Sequence, residues 1–415
     1  MIVANSARSE KTYDKKIALV LQGGGALGSY QAGVYEALAA SEYEPDWVAG
    51  ISIGAINAAI IAGNPQATGA GQLRRFWEEI TAPTSWWTAG LNGRLGASQR
   101  EASAMSAMMF GQPGFFAPRA PLDWFSPKKP ISLYDTNALK ATLERLVDFD
   151  RINHQETMRI SVGAVNVMTG RFAYFDSAEI KIRPEHVMAS GALPPGFPPV
   201  EIDGSYYWDG GLVSNTPLQY VLDYVPRRSR LTFQVDVFQA YGALPKNLSE
   251  VAEREKDIRY SSRTRVNTEV FQQKHGVRHA INELFKLLPE EIATSGEGKR
   301  LFALGCVTEM DIVQLIYRPF EPQGATKDFE FSRDAMNVRW KQGLSDAETT
   351  LAAAPWMAPK SKETGVRVFD VMHDLLIEKL GKDDAVRRKA SSAADRPRAA
   401  VQPAGADHDC SEPVS

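Results

Sequence analysis

The stretch Trp47 to Ala59 reads as a short apolar strand that breaks at Gly50-Ile51-Ser52-Ile53-Gly54 and resumes as a helix. A serine on such a strand-to-helix corner is held with its hydroxyl above the sheet, and the flanking glycines omit side chains that would collide in the tight turn. The chemistry on offer is nucleophilic attack by Ser52 on an acyl carbon. Gly-x-Ser-x-Gly also arises by chance in a chain with 32 glycines, so the assignment needs partners elsewhere in the sequence.

One set of partners lies upstream. An apolar run of strand length, Lys16 to Gln22, is followed at once by Gly23-Gly24-Gly25-Ala26-Leu27-Gly28, and then by helical spacing in Tyr30, Val34, Tyr35 and Leu38. A glycine loop between a strand and a helix N-terminus aims backbone N–H groups and the positive end of the helix dipole at one point, where negative charge is favoured. Two uses compete. One is an oxyanion hole built from Gly23, Gly24 and Gly25, with the Ile53 N–H from the elbow. The other is a pyrophosphate cradle, because Gly23, Gly25 and Gly28 also satisfy Gly-x-Gly-x-x-Gly. The cradle expects an acidic residue at the C-terminal end of the next strand. That strand ends in the elbow, and Asp46 stands at its beginning behind Pro45, so the oxyanion reading leads.

Further downstream are Ala189-Ser190-Gly191-Ala192-Leu193-Pro194-Pro195-Gly196-Phe197-Pro198-Pro199 and Trp208-Asp209-Gly210-Gly211, the latter followed by Val213-Ser214-Asn215-Thr216-Pro217. With the glycine loop and the elbow these make an ordered set of blocks between Lys16 and Val237 that resembles the patatin-like phospholipase family. The resemblance implies a three-layer α/β fold, with a mostly parallel central sheet flanked by helices. It implies a lipid acyl hydrolase working through a Ser-Asp dyad, with Ser52 as nucleophile and Asp209 as base. Gly28, Gly50, Gly54, Gly210 and Gly211 are then motif glycines, and neither metal nor cofactor is needed. Many relatives carry Arg or Lys just before the last loop glycine, where this chain has Leu27; the backbone donors remain and a cationic helper is gone. Taken alone, Asp209 before glycine is a common turn former. A Ser-acid-His order would place a triad histidine after Asp209, and the candidates are His275, His279, His373 and His408. None follows a strand in a glycine-flanked loop, so the reading is a dyad acting on lipid esters; the alternatives are an esterase or thioesterase on soluble acyl esters or intracellular polyester, and a non-catalytic lipid-binding protein on the same fold.

Several elements must position these residues. Gly63-Asn64-Pro65 closes the elbow helix and Leu73 to Ile80 forms another, with Phe76 and Trp77 on its apolar side. Thr81 to Pro130 reads as long and irregular, rich in proline, glycine, methionine and aromatics. It is either a lid or flap that meets an acyl chain or a lipid surface, or a cap over the core or an oligomer contact. Asp135 or Thr136 caps a helix over Ala138 to Val147. Met158 to Val167 and Arg171 to Phe175 form a hairpin, Pro184 to Ser190 a short helix, and the prolines after it a stiff wall. Asp209 is expected on a loop, and Leu231 to Phe238 is a strand.

Beyond Gln239 the motifs stop, and residues 241–380 resemble the C-terminal extension of a subset of bacterial patatin-like proteins. One or two long helices over Leu248 to Leu288, a strand over Asp311 to Tyr317, and helices over Phe329 to Ala354 and Val366 to Leu380 are expected, with charged faces in solvent. This part packs on the sheet, completes the pocket or forms a homo-oligomer. The expected organisation is a flexible N-terminus (1–15), a catalytic domain (16–240, with 81–130 the lid candidate), the extension (241–380) and a disordered tail (381–415).

The 415 residues with 44% hydrophobic content bury a large core, while a net charge of −3 argues against nucleic acid as a partner. Two distant cysteines, Cys306 and Cys410, give neither a disulfide framework nor a Cys-rich zinc site. With no signal-like apolar run before the first strand and no span-length apolar segment, the expectation is a cytoplasmic protein whose membrane contact is peripheral.

Overall fold

The computed structural model describes residues 15–81, 97–125, 127, 129–154, 157–359 and 365–379. The expectations for the first fourteen residues, for 82–96 of the lid candidate and for the tail after 379 lie outside these. Residues up to Asp370 form one compact unit and those from Val371 a second.

A nine-stranded sheet runs through the first unit in the order β11-β10-β9-β1-β2-β5-β8-β7, with β6 also on β5. Its strands are β1 (Lys16–Leu21), β2 (Trp47–Gly50), β5 (Arg159–Asn166), β6 (Phe172–Asp176), β7 (Val200–Ile202), β8 (Ser205–Asp209), β9 (Arg230–Asp236), β10 (Met310–Ile316) and β11 (Val366–Phe369). A separate antiparallel ribbon pairs β3 (Ala117–Pro118) with β4 (Tyr134–Asp135). From β11 to β5 the pairing is parallel; β6, β7 and β8 are antiparallel. This is the expected mostly parallel α/β architecture.

The unbroken apolar run of β1 follows from burial on both faces. Ile17, Leu19 and Leu21 enter one core, with the helices Ser29–Ala39, Ile53–Ala62, Gln66–Ile80 and Arg333–Ala353. Ala18 and Val20 enter the other, with Leu218, Val221 and Leu222 of a short helix and Phe271 of the helix Leu248–Lys286. The sheet does not stop where the motifs stop: β10 pairs with β9, and β11 with β10, so the chain beyond residue 240 supplies an edge of the same sheet.

Three local expectations are corrected. Thr81 to Pro130 is not wholly irregular, because Ala97–Phe110 is a helix; it buries only small residues such as Ala104 and Ala107 and turns Met105, Met109 and Phe110 outward, so no inward apolar stripe announced it. Val366 to Phe369 is a strand, its β-branched alternation satisfied by β10, and helix begins only at Val371. Asp209 is the last residue of β8 and caps a 3-10 turn. Leu248–Lys286 forms a single 39-residue helix.

Candidate active site

Strand β5 sets the separation between serine and acid. Parallel pairing on β2 places Gly50 opposite Val162, and antiparallel pairing on β8 places Asp209 opposite Ala164. Since β6 overlaps both stretches of β5, β2 and β8 share the other edge, and one ends where the next begins. Ser52, two residues past Gly50, therefore meets Asp209 across the end of the sheet. The Asp209 carboxylate accepts from the Gly211 N–H at 2.7 Å, and the Ser52 hydroxyl lies near enough to favour its charged form.

Ser52 stands at φ 56°, ψ −125°, a region in which a non-glycine residue is strained. The turn persists because its surroundings leave no alternative. A Cβ at Gly50 would lie 2.2 Å from the Gly54 carbonyl oxygen, and one at Gly54 would lie 2.4 Å from that of Leu21. The Ser52 N–H donates to the Ser190 hydroxyl (3.1 Å), which in turn donates to the Gly163 carbonyl of β5 (2.6 Å). Ser190 ends the short helix ahead of the proline wall, where no role was expected of it; its buried hydroxyl fixes the Ser52 backbone.

The glycine loop arrives beside Ser52 from β1. The Gly23 N–H is held by the Asn215 carbonyl at 3.0 Å, and the Asn215 amide returns a bond to the Gly23 carbonyl at 2.8 Å. Gly23 is thus an anchor rather than a free donor, which corrects its place in the expected oxyanion hole. Among the described residues the N–H groups of Gly24, Gly25 and Ile53 make no backbone hydrogen bond, and Ile53 opens the Ile53–Ala62 helix whose dipole points the same way. Below the loop, Gln31 donates to the Gln22 carbonyl (2.6 Å), and Asn57 donates to Gln31 (2.9 Å) and to the Gly28 carbonyl (3.0 Å). This buried network fixes both ends of the loop.

Its middle is held by a part of the chain that no motif marked. Gly25 has φ +55°, and a Cβ there would lie 2.3 Å from the Asp328 carbonyl oxygen, so the short turn Lys327–Phe329 packs directly on the loop. Arg339 ties the two together: its guanidinium donates to the carbonyls of Ala26 (3.3 Å), Glu330 (2.9 Å) and Lys327 (3.2 Å) and pairs with the Glu330 carboxylate (3.2 Å). Lys327 is buried in turn on Asp257 (2.6 Å) and Glu253 (3.2 Å) of the long helix. Arg339 is 1% exposed, so this charged face is interior rather than solvated as expected. A lone arginine in a charged helix carries no sequence mark of such a role. Leu27 is buried in the core.

Ser52 and Asp209 lie at the polar end of a cleft of about 710 Å³ of atom-free space. Ile53, Ile56, Leu193 and Phe238 line it, together with an aromatic cluster in which Phe116 packs against Phe115, Phe197 and Tyr134 at 5.0–5.3 Å and Phe115 meets Phe331 at 6.0 Å. Phe115 and Phe116 come from the lid candidate, Phe331 from the chain beyond residue 240. Burial in these surroundings pushes the Asp209 carboxyl up to about 6, against the stabilising effect of Ser52 and Gly211.

No histidine lines the cleft among the described residues. The Nε2 atoms of His275 and His279 both lie against the Thr308 carbonyl, at 2.8 and 2.9 Å; His373 belongs to the second unit, and His408 lies outside the described residues. Asp46 accepts from the Ile17 N–H and pairs with Arg230 at the opposite end of the strands, which leaves no acid for a dinucleotide ribose. No group of three or more His, Cys, Asp or Glu able to hold a metal occurs among the described residues, and no described helix is long and apolar enough to cross a membrane.

A comparison with curated proteins finds no match. Solved structures similar to this chain include VipD from Legionella pneumophila (14% identity, 91% of this chain and 75% of that one, TM-score 0.38). They also include ExoU in its heterodimer with SpcU from the type III secretion system of Pseudomonas aeruginosa (17% identity, 70% and 58%, TM-score 0.29). Human GIVD cytosolic phospholipase A2 is a third (12% identity, 82% and 60%, TM-score 0.31). The chain spans less than two thirds of the latter two. A family model described as patatin-like phospholipase matches residues 19–222, and another described as patatin phospholipase matches 258–363. From the glycine loop through Arg339, the chain belongs to the patatin-like phospholipase family.

Proposed function

We propose that this protein is a serine hydrolase of lipid carboxylic esters, with Ser52 and Asp209 acting as a dyad. The observation that carries the reading is the Ser52 hydroxyl and the buried Asp209 carboxylate lining one apolar cleft, beside N–H groups with no backbone partner. Asp209 takes the serine proton as Ser52 Oγ attacks the ester carbonyl. The N–H groups of Gly24, Gly25 and Ile53 receive the oxyanion. Collapse of the intermediate expels the alcohol, which takes the proton back from Asp209 and leaves acyl-Ser52. Asp209 then deprotonates a water, which attacks the acyl carbon; Ser52 leaves with that proton and the fatty acid departs. The aromatic cleft takes the acyl chain.

The lid candidate carries a second part of the reading. The β3–β4 ribbon follows directly on the cleft residue Phe116, and between its strands the chain exposes Leu122 (81%), Phe125 (86%) and Ile131 (69%). An apolar tip joined to the cleft mouth, with Lys129 beside it, fits peripheral docking on a lipid surface. The sparse cysteines are the support for a cytoplasmic setting.

The test is a comparison of Ser52→Ala and Asp209→Asn with the parent on monomeric short-chain esters and on micellar phospholipid, together with fluorophosphonate labelling. Loss of both activities in both variants, and loss of labelling in Ser52→Ala, is expected. Near-parental turnover by either variant overturns the assignment; a parent that prefers monomeric esters redirects the substrate to soluble acyl esters.

A further inference from the structure

The Leu248–Lys286 helix is amphipathic in the wrong sense for a solvated helix. Its buried positions are mainly polar: Glu253, Asp257, Thr264, Thr268 and His275 among them, with Phe271 the large apolar exception. Glu253 and Asp257 hold Lys327, Thr264 meets Thr216 (2.9 Å) and His275 lies against the Thr308 carbonyl, while Thr268 bonds the Thr264 carbonyl of its own helix. The apolar residues face outward. Val251, Ile258, Val266, Val270, Val277 and Leu284 are 49–60% exposed, and Leu248 and Leu287 at the two ends are 86% and 81% exposed. At about 100° per residue they fall within an arc of about 120°, opposite the buried polar face.

Six of the eight outward residues are placed symmetrically along the helix; the other two, Val266 and Val270, fall opposite Glu269 and Arg265 of a second copy in the same register. Leu248 and Leu287, Val251 and Leu284, and Ile258 and Val277 stand at equal distances from the midpoint between residues 267 and 268. Two copies of the helix laid antiparallel about a two-fold axis at that midpoint bring each of these residues opposite its mate on the other copy. The same register sets Arg265 beside Glu269 of the second copy. These two are already an exposed i,i+4 pair (3.9 Å), so the crossing point carries matched rather than opposing charge. Arg259 and Glu255 fall opposite Gly276 and Ala280, small residues that leave room for long side chains, and a Cβ at Gly276 would meet nothing within 4 Å. A helix of this length, about 58 Å, gives a two-fold contact on the scale of about 800 Å² per partner that stable complexes use. Glu255 and Glu269 along the stripe, each paired with an arginine, do not suit a lipid surface, which favours a basic, aromatic rim.

We propose that the outward face of this helix is the surface on which a second copy of the chain docks, antiparallel and two-fold symmetric, centred between residues 267 and 268. The contact is isologous and closes on itself, so it yields a dimer rather than a fibre. The helix's polar face reaches Gln22 and the Lys327 turn, so the docking face and the contacts to the glycine loop lie on opposite sides of one helix.

Sedimentation velocity on the full chain, whose protomer is 45.7 kDa, tests this directly. A concentration-dependent dimer is expected, and Val277→Asp, a substitution of an exposed residue, should weaken it at least about tenfold while leaving monomeric-ester turnover intact. The register has its own test. Ile258→Cys with Val277→Cys should form an intermolecular disulfide under mild oxidation. Ile258→Cys alone should not, because its symmetry mate lies about 28 Å away along the axis. A parent that stays monomeric at tens of micromolar, a dimer unaffected by Val277→Asp, or equal crosslinking by Ile258→Cys alone overturns the proposal. So does a Val277→Asp variant that loses vesicle binding and keeps the parent's association state.

Discussion

Two regions converge on the Gly24–Gly25 backbone, and they are built on opposite principles. The elbow and glycine loop are local: Gly50, Ser52 and Gly54 lie within five residues, and their backbone fit leaves no space for other side chains. The turn at Lys327–Phe329 with Arg339 is remote, 300 residues along the chain, and acts through charged groups removed from solvent. In the proposed reaction the first region supplies the reacting groups, and the second holds their geometry. Chemistry needs particular atoms at one point, whereas bracing needs only that some buried donor satisfy several carbonyls at once, which many sequences can do.

The largest effect that sharpens this contrast is on the local side. Ser52→Ala and Asp209→Asn should each lower kcat by about 10⁴-fold or more, and the double variant little further, since the two act as a unit. Steady-state hydrolysis of a monomeric ester measures it, and additive losses would separate the two residues.

Next comes the remote side. Arg339→Met keeps the volume and removes the donors; kcat should fall about 10- to 100-fold with KM nearly unchanged, because an oxyanion donor displaced by a fraction of an ångström is felt in the transition state. Affinity for a trifluoromethyl ketone should fall in proportion to kcat. If KM rises and kcat does not, Arg339 braces the cleft wall rather than the loop.

The acid separates the regions by pH. With the Asp209 carboxyl near 6, kcat should decline about tenfold per unit as pH drops below that value. Because this folded-state value lies above the ordinary 3.8, the group stabilises the fold most below pH 3.8 and that contribution is lost as pH rises to 6. Asp209→Asn should therefore melt at a higher temperature than the parent at pH 8, by about 1–3 kcal/mol in stability. Equal melting would mean the carboxylate is better solvated than its burial indicates.

The smallest effect concerns the ribbon. Phe125→Asp should leave monomeric-ester turnover unchanged and lower turnover on anionic vesicles severalfold. A loss on both substrates would assign Phe125 to the cleft.

The parallel strands, the elbow and the glycine loop were legible because each rests on a constraint within a few residues: a two-sided burial in β1, a steric limit at Gly50 and Gly54. Asp209 was legible only through its motif; nothing local distinguishes it from a turn aspartate, and β5 alone brings it to Ser52. The helix Ala97–Phe110 and strand β11 escaped notice because one turns its large apolar residues outward and the other is four residues long.

The sequence by itself determined the corner that carries Ser52 and the loop that faces it, because those depend on covalent neighbours and on the absence of side chains. Only the tertiary structure decided that Gly23 is an anchor, that Ser190, Asn215 and Arg339 hold the site, and that the long helix turns its polar face inward. A buried polar residue is defined by partners that folding brings from far along the chain, and spacing does not encode them.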